Sequence, residues 1–200
     1  MPEVAGVVAS GVDAVGFIFA GASPRKVDHA LAREIIKTLP PFVDAVGVFV
    51  DEEPDVVNEI VQYCGLTMVQ LHGAETPDYC ARINSRLVKA FRIGPSVERD
   101  DFMAYQGLVS GFLLDTYHSK MAGGTGETFD WRLLEKIRIP GPIILAGGLT
   151  PANVGDAVRR VRPFAVDLNS GVEVGPGRKD LAKVRLAVEE VARADRIICP

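Results

Sequence analysis

The sequence predicts an α/β fold, a parallel sheet covered by helices and closed as a barrel, and three observations carry that prediction. Apolar, strand-sized runs alternate with helix-like segments along the whole chain, the order that parallel strands joined by crossover helices require. The runs are continuous in Val, Ile and Leu, as strands buried on both faces are. Three of them end abruptly in polar or glycine residues: Leu113-Leu114-Asp115-Thr116, Leu145-Ala146-Gly147-Gly148-Leu149 and Val166-Asp167-Leu168-Asn169-Ser170-Gly171-Val172-Glu173. Residues just past the carboxyl end of a barrel strand are free to hold ligand. A doubly wound sheet would gather its ligand at one switch point, whereas here chemistry-bearing loops follow strand after strand.

The chain opens on Met1–Ala9, which reads as a helix with Pro2 in its first turn. Strands are expected at Asp13–Phe19, Ala45–Val50, Met68–Leu71, Leu87–Phe91, Leu108–Leu114, Ile143–Leu145 and Phe164–Leu168. Between them, helices are expected at Asp28–Lys37, Glu53–Cys64, Pro77–Asn84, Trp131–Arg138, Ala152–Val161 and Asp180–Ala194, several opening on Asp, Thr or Pro. Pro77 after Thr76 and Pro151 after Thr150 are helix starts of that kind. Seven strands are thus visible, where a closed eightfold barrel needs eight, and the strand that should precede the opening helix has no counterpart.

Composition narrows the function. With 200 residues, 48% hydrophobic and 24% charged, the chain can bury one core, and no linker divides residues 1–200 into domains. A net charge of −4 and the lack of Lys/Arg clusters argue against a nucleic-acid surface, though not against a small anionic ligand. The apolar runs are too short to cross a bilayer and no signal peptide opens the chain, so a cytoplasmic location without membrane attachment is expected. Cys64, Cys80 and Cys199 make no metal-like pattern with His29, His72 and His118, and neither a disulfide framework nor a metal site is indicated.

The glycines of Gly147-Gly148 and of Asn169-Ser170-Gly171 let backbone N–H groups approach an anion, and in barrels the loops after the last two strands often form a phosphate site. Either pair alone could make only a tight turn; together, on adjacent strands, they favour phosphate. Asp115 ends an apolar strand, where partial burial would raise its pKa toward that of a general acid; the alternative is a structural cap. After it, Ala122–Trp131 is a glycine-rich loop suited to closing over substrate. His72, in Gln70-Leu71-His72-Gly73, has a structural reading as a hydrogen-bonded group. Arg25, in Ser23-Pro24-Arg25-Lys26, is placed to grip a carboxylate, or is an ordinary exposed charge. Asp167 interrupts a strand and needs a partner, either substrate or the barrel interior. Cys64 and Cys80 read as buried structural thiols.

Taken in order, these motifs resemble the phosphoribosylanthranilate isomerases of tryptophan biosynthesis. Gly11–Phe19, Ser23-Pro24-Arg25, Val46–Val50, Gln70–Gly73, Leu113–Asp115, Gly124–Trp131, Leu145–Leu149, Phe164–Glu173 and Pro176–Asp180 carry the likeness over nearly the whole chain. The resemblance implies a (β/α)8 TIM barrel of the ribulose-phosphate-binding type and an Amadori rearrangement that needs no cofactor. It matches Asp115 to the general acid, Arg25 to the residue that holds the anthranilate carboxylate, and Asp167, with His72, to substrate-binding positions. Gly147, Gly148, Asn169, Ser170 and Gly171 match the phosphate cradle. The expected partner is therefore a small phosphosugar-anthranilate, and an open sheet edge would favour a homo-oligomer.

Family members begin with a strand carrying Lys-Ile-Cys-Gly, whose cysteine is the general base. That segment has no match here, and three readings of the gap stand side by side. The first is a chain given without its amino-terminal strand, and the second a phosphate- or partner-binding barrel without turnover. In the third, Arg196-Ile197-Ile198-Cys199-Pro200 inserts as a permuted strand, with Cys199 as substitute base. Other phosphosugar enzymes on this fold form a weaker alternative.

Overall fold

Polar caps and glycine stops place most helices where the sequence puts them. In a computed structural model that describes residues 2–94, 97–116, 131, 134 and 137–198, Asp28 Oδ1 accepts the amides of Ala30 and Leu31 and opens α2, His29–Ile36. Pro54 begins α3, Pro54–Cys64, and Gly65 ends it in the left-handed region at φ 76°, where glycine carries no Cβ penalty. Thr76 caps α4, Pro77–Cys80, by accepting the Tyr79 amide. The opening helix α1 spans Pro2–Val8.

The chain divides into two compact units, Met1–Ala90 with Gly107–Ser110, and Phe91–Gln106 with Gly111–Pro200. In the first, β1 (Ala14–Ile18), β2 (Asp44–Phe49), β3 (Met68–Leu71) and β4 (Arg86–Ile93, which runs on into the second unit) pair in sequence order and in parallel. Its core gathers Phe17, Phe19, Phe49, Val57, Val69 and Leu71. Phe19 stacks on Phe49, centroids 5.2 Å apart, and meets His29 edge-on. Gly47 is required beneath these rings, because a Cβ there would lie 2.5 Å from Leu66 Cδ1 and 2.8 Å from Phe49 Cε2.

The second unit carries β5 (Gly111–Thr116), β6 (Ile143–Leu145) and β7 (Ala165–Val166), again parallel and in order. Helices α5 (Arg99–Met103), α6 (Val154–Val161) and α7 (Leu181–Ile198) belong to it. Phe91, Phe102 and Phe112 form a ring cluster with centroids 4.4 to 6.0 Å apart. A short 3-10 turn, Ser170–Val172, leads into the antiparallel hairpin of β8 (Glu173–Gly175) and β9 (Arg178–Lys179).

Several expectations need correction. The strand expected at Leu108–Leu114 begins only at Gly111, because a turn with Gly107 at φ 83° precedes it. Pro151 does not start α6: Thr150–Asn153 make a turn first, closed by the Asn153 and Val154 amides on the Thr150 carbonyl. Helix α4 stops at Cys80 rather than Asn84. Arg196, Ile197 and Ile198 continue α7, so the tail does not supply a permuted strand; Cys199 lies outside the described residues. So does the loop expected over Ala122–Trp131, apart from Trp131, and most of the helix expected at Trp131–Arg138.

Candidate active site

In the second unit, parallel register brings the expected site residues to one level. Leu114 pairs with Leu145 and Leu145 with Val166. The next rung is closed by the Ala146 amide on the Leu114 carbonyl at 2.9 Å and the Asp167 amide on the Leu145 carbonyl at 2.8 Å. Asp115, Ala146 and Asp167 therefore stand side by side at three strand ends, with Asp115 and Asp167 two strand spacings apart, roughly 10 Å. Both carboxyl-bearing residues are half-buried.

Immediately beyond that rung lie the glycine loops. Gly147 and Gly148 adopt φ of 81° and 65°, a path that turns the chain sharply after β6 and that side chains rarely follow. Asn153 fixes this path: its Nδ2 donates to the Gly148 carbonyl at 3.0 Å and its Oδ1 accepts the Thr150 amide at 2.7 Å. The loop after β7 presses directly against it. A Cβ on Gly171 would lie 1.9 Å from the Leu149 carbonyl oxygen, so only glycine allows the two backbones to meet.

A charged network that the sequence does not announce braces the second loop. Lys179 Nζ donates to the Asn169 carbonyl and to Asn169 Oδ1, both at 3.0 Å, and pairs with Glu173 Oε1 at 3.1 Å. The Glu173 side chain, 4% exposed, also takes the Gly177 amide, while Lys183 Nζ donates to the Glu173 carbonyl. Its only sequence signal is Pro176-Gly177-Arg178-Lys179-Asp180, part of the family likeness but without a role attached. The result is a pair of glycine loops, braced by side-chain hydrogen bonds, at the ends of β6 and β7 beside two carboxyl-bearing residues.

In the first unit, Arg25 sits half-buried in the connection after β1, where the Val27 amide returns to the Ile18 carbonyl and the Arg25 amide donates to Ser23 Oγ at 3.2 Å. His72, half-buried, follows β3 and its amide donates to the Phe49 carbonyl. Gln70 Nε2 lies 3.0 Å from His72 Nδ1; with the amide as donor, the ring proton is assigned to Nε2. Beside them, Lys89 and Glu75 form a buried ion pair that sequence reasoning does not single out. Cys64 and Cys80 are buried at the ends of α3 and α4, and burial pushes both thiols up, as structural thiols should be. Among the described residues no group of three His, Cys, Asp or Glu could hold a metal ion. No described helix is long and apolar enough to cross a membrane.

Parallel strands alternating with helices, seven of them among the described residues and paired in chain order, define an α/β protein of the TIM-barrel type. The particular family follows from comparison. The family model of N-(5′-phosphoribosyl)anthranilate (PRA) isomerase matches residues 1–190, and the chain belongs to that family. It is 49% identical over 188 residues, 94% of this chain and 91% of the relative, to N-(5′-phosphoribosyl)anthranilate isomerase of Trichlorobacter lovleyi. Among solved structures, phosphoribosyl anthranilate isomerase from Thermus thermophilus is similar at a TM-score of 0.86 and 31% identity, covering 96% of this chain and 94% of that one. A phosphoribosyl anthranilate isomerase in complex with reduced 1-(o-carboxyphenylamino)-1-deoxyribulose 5-phosphate is similar at a TM-score of 0.80 and 36% identity, covering 96% and 93%.

Proposed function

We propose that this chain catalyses the Amadori rearrangement of N-(5-phosphoribosyl)anthranilate to 1-(2-carboxyphenylamino)-1-deoxyribulose 5-phosphate in tryptophan biosynthesis. The observation that carries the reading is the shared rung of Asp115, Ala146 and Asp167, with the glycine cradle directly beyond it. The phosphate sits on the backbone of Gly147, Gly148, Asn169, Ser170 and Gly171, whose geometry is set before ligand arrives. Asp115 gives its proton to the furanose ring oxygen as the C1′–O bond breaks, leaving a Schiff base. Loss of the C2′ proton to a base then yields the enamine, which tautomerises to the ketose. Arg25 holds the anthranilate carboxylate, and Asp167 and His72 bind substrate.

No described residue is assigned the base. A binding barrel without turnover is not favoured, because the relatives of high identity carry the isomerase name. We further propose that residues 1–200 act as a single domain, in the cytoplasm, where a phosphate ester that cannot cross a bilayer unaided would be made and used. Self-association belongs to the same proposal and is supported by Phe42, fully exposed at φ 70°.

Single-turnover assay on freshly generated substrate, beside calorimetric titration with the reduced product analogue, tests the reading. Asp115→Asn should abolish turnover, by at least about a hundredfold, while analogue affinity stays within about twofold. Loss of binding in that variant would make Asp115 a structural residue and sink its role as the acid.

A further inference from the structure

Lys89, on β4, and Glu75, just past β3, are almost wholly withdrawn from water, with side chains 4% and 1% exposed and 3.0 Å apart. Neither enters the chemistry proposed above. As a source of stability such a pair is poor, because desolvating two charges offsets most of their attraction. Its remaining bonds show what it holds. Lys89 Nζ donates to the Gly73 carbonyl at 2.8 Å and approaches the Leu71 carbonyl at 3.5 Å. Glu75 accepts the Gly73 amide through both oxygens, at 2.9 and 3.1 Å, and the Asp51 amide at 3.0 Å.

The residues on either side of His72 are thus tied to the pair. Asp51 closes the same turn: its Oδ1 accepts the Ala74 amide at 2.6 Å, and its carboxylate fills the space where a Cβ on Gly73 would have to lie. With Gln70 fixing the ring through Nδ1, backbone and side chain of His72 are both held before substrate arrives. Preorganisation of this kind matters most for a residue that must meet a ligand within a few tenths of an ångström.

We infer that the buried Glu75–Lys89 ion pair is a positioning device for His72, clamping the Leu71–Ala74 turn so that the imidazole is presented in one orientation. The inference rests on the reading of His72 as a substrate-binding residue. Lys89 and Glu75 are positioning residues and touch no substrate themselves.

The test uses the full chain, the reduced product analogue as calorimetric probe, and the proton resonances of the histidine rings. Glu75→Gln and Lys89→Met are introduced together, since removing both charges spares the fold the uncompensated charge that either change alone would leave. The double variant should bind the analogue about tenfold more weakly. In a His72→Ala background the same two changes should weaken binding less than twofold, because the clamp then has nothing to position. The His72 resonances should shift in the double variant while those of His29 stay in place. Equal weakening in both backgrounds, or unmoved His72 resonances, would overturn the inference and leave the pair merely structural. Failure of the wild-type chain to bind the analogue would instead overturn the proposed function, and a His72→Ala variant that binds like wild type would remove His72 from the substrate site. In either case the resonances still judge the clamp.

Discussion

Adding one methyl group at Gly171 tests the cradle more sharply than removing any charge. An alanine Cβ would fall 1.9 Å from the Leu149 carbonyl oxygen and 2.9 Å from its carbonyl carbon. Ordinary carbon–oxygen contact is about 3.3 Å, so the two loops must part by more than about 1 Å. Overpacking of this kind costs about 1–3 kcal/mol; here the opposing group is backbone, which cannot rotate aside, so about 3 kcal/mol is expected. Displacement by an ångström also misplaces the donors, which is worth about a hundredfold in function. Gly171→Ala should therefore lower the unfolding free energy in urea by about 3 kcal/mol, cut turnover by about a hundredfold and weaken binding of the reduced product analogue. Gly175→Ala is the control, since nothing lies within 4 Å of its added Cβ. A Gly171→Ala protein that binds like the Gly175→Ala control would refute the close-packed cradle.

Asn153→Ala removes both the bond to the Gly148 carbonyl and the bond from the Thr150 amide; a loss of about 1–2 kcal/mol in urea unfolding is expected, with analogue affinity falling several-fold. Tyr79 is a case for pH. Burial first, then the carboxylates of Glu75 and Glu52, push its phenol up to about 12, above the usual value near 10, so folding favours the neutral ring. That contribution is complete below about pH 10 and disappears as pH rises through about 12. Urea midpoints measured from pH 8 to 12 should fall more steeply for wild type than for Tyr79→Phe; equal slopes would refute the assignment. If Phe42 supports self-association, Phe42→Ser should shift the sedimentation coefficient to that of a monomer at the same concentration.

Local rules were enough wherever a residue's structure depends on its chain neighbours. Asp28 and Thr76-Pro77 announce their helices, Met68–Leu71 is bounded by Thr67 and His72, and Ile143–Leu145 by Pro142 and the Ala146-Gly147 step. Asp115 and Asp167 were legible as strand-end carboxyls for the same reason. Where the answer lay in tertiary contact, the sequence was silent or misleading. Leu108-Val109 continues the apolar run into β5, yet the strand begins only at Gly111, after the turn at Gly107, and its ladder with β6 only at Phe112. The helix Arg99–Met103 was missed although Glu98 and Asp101 have capping-box spacing. Lys89 interrupts an apolar strand, and that interruption is its one available signal, whereas Asp167, expected within Phe164–Leu168, lies just past β7; the partner Glu75 is buried by the fold, which no spacing reveals.

Among the described residues, the ladders of the first unit join strands that are neighbours in the chain: Ala14 with Asp44, Val46 with Met68, Met68 with Arg86. Each closure spans one helix and its two connections, and loop-closure entropy grows slowly with such lengths. A ribosome releasing these strands in chain order would deliver each new one directly after a strand it pairs with. The sheet can therefore lengthen by one strand at a time during synthesis, and the latest partner to emerge, β4, brings with it the lysine that locks the preceding turn.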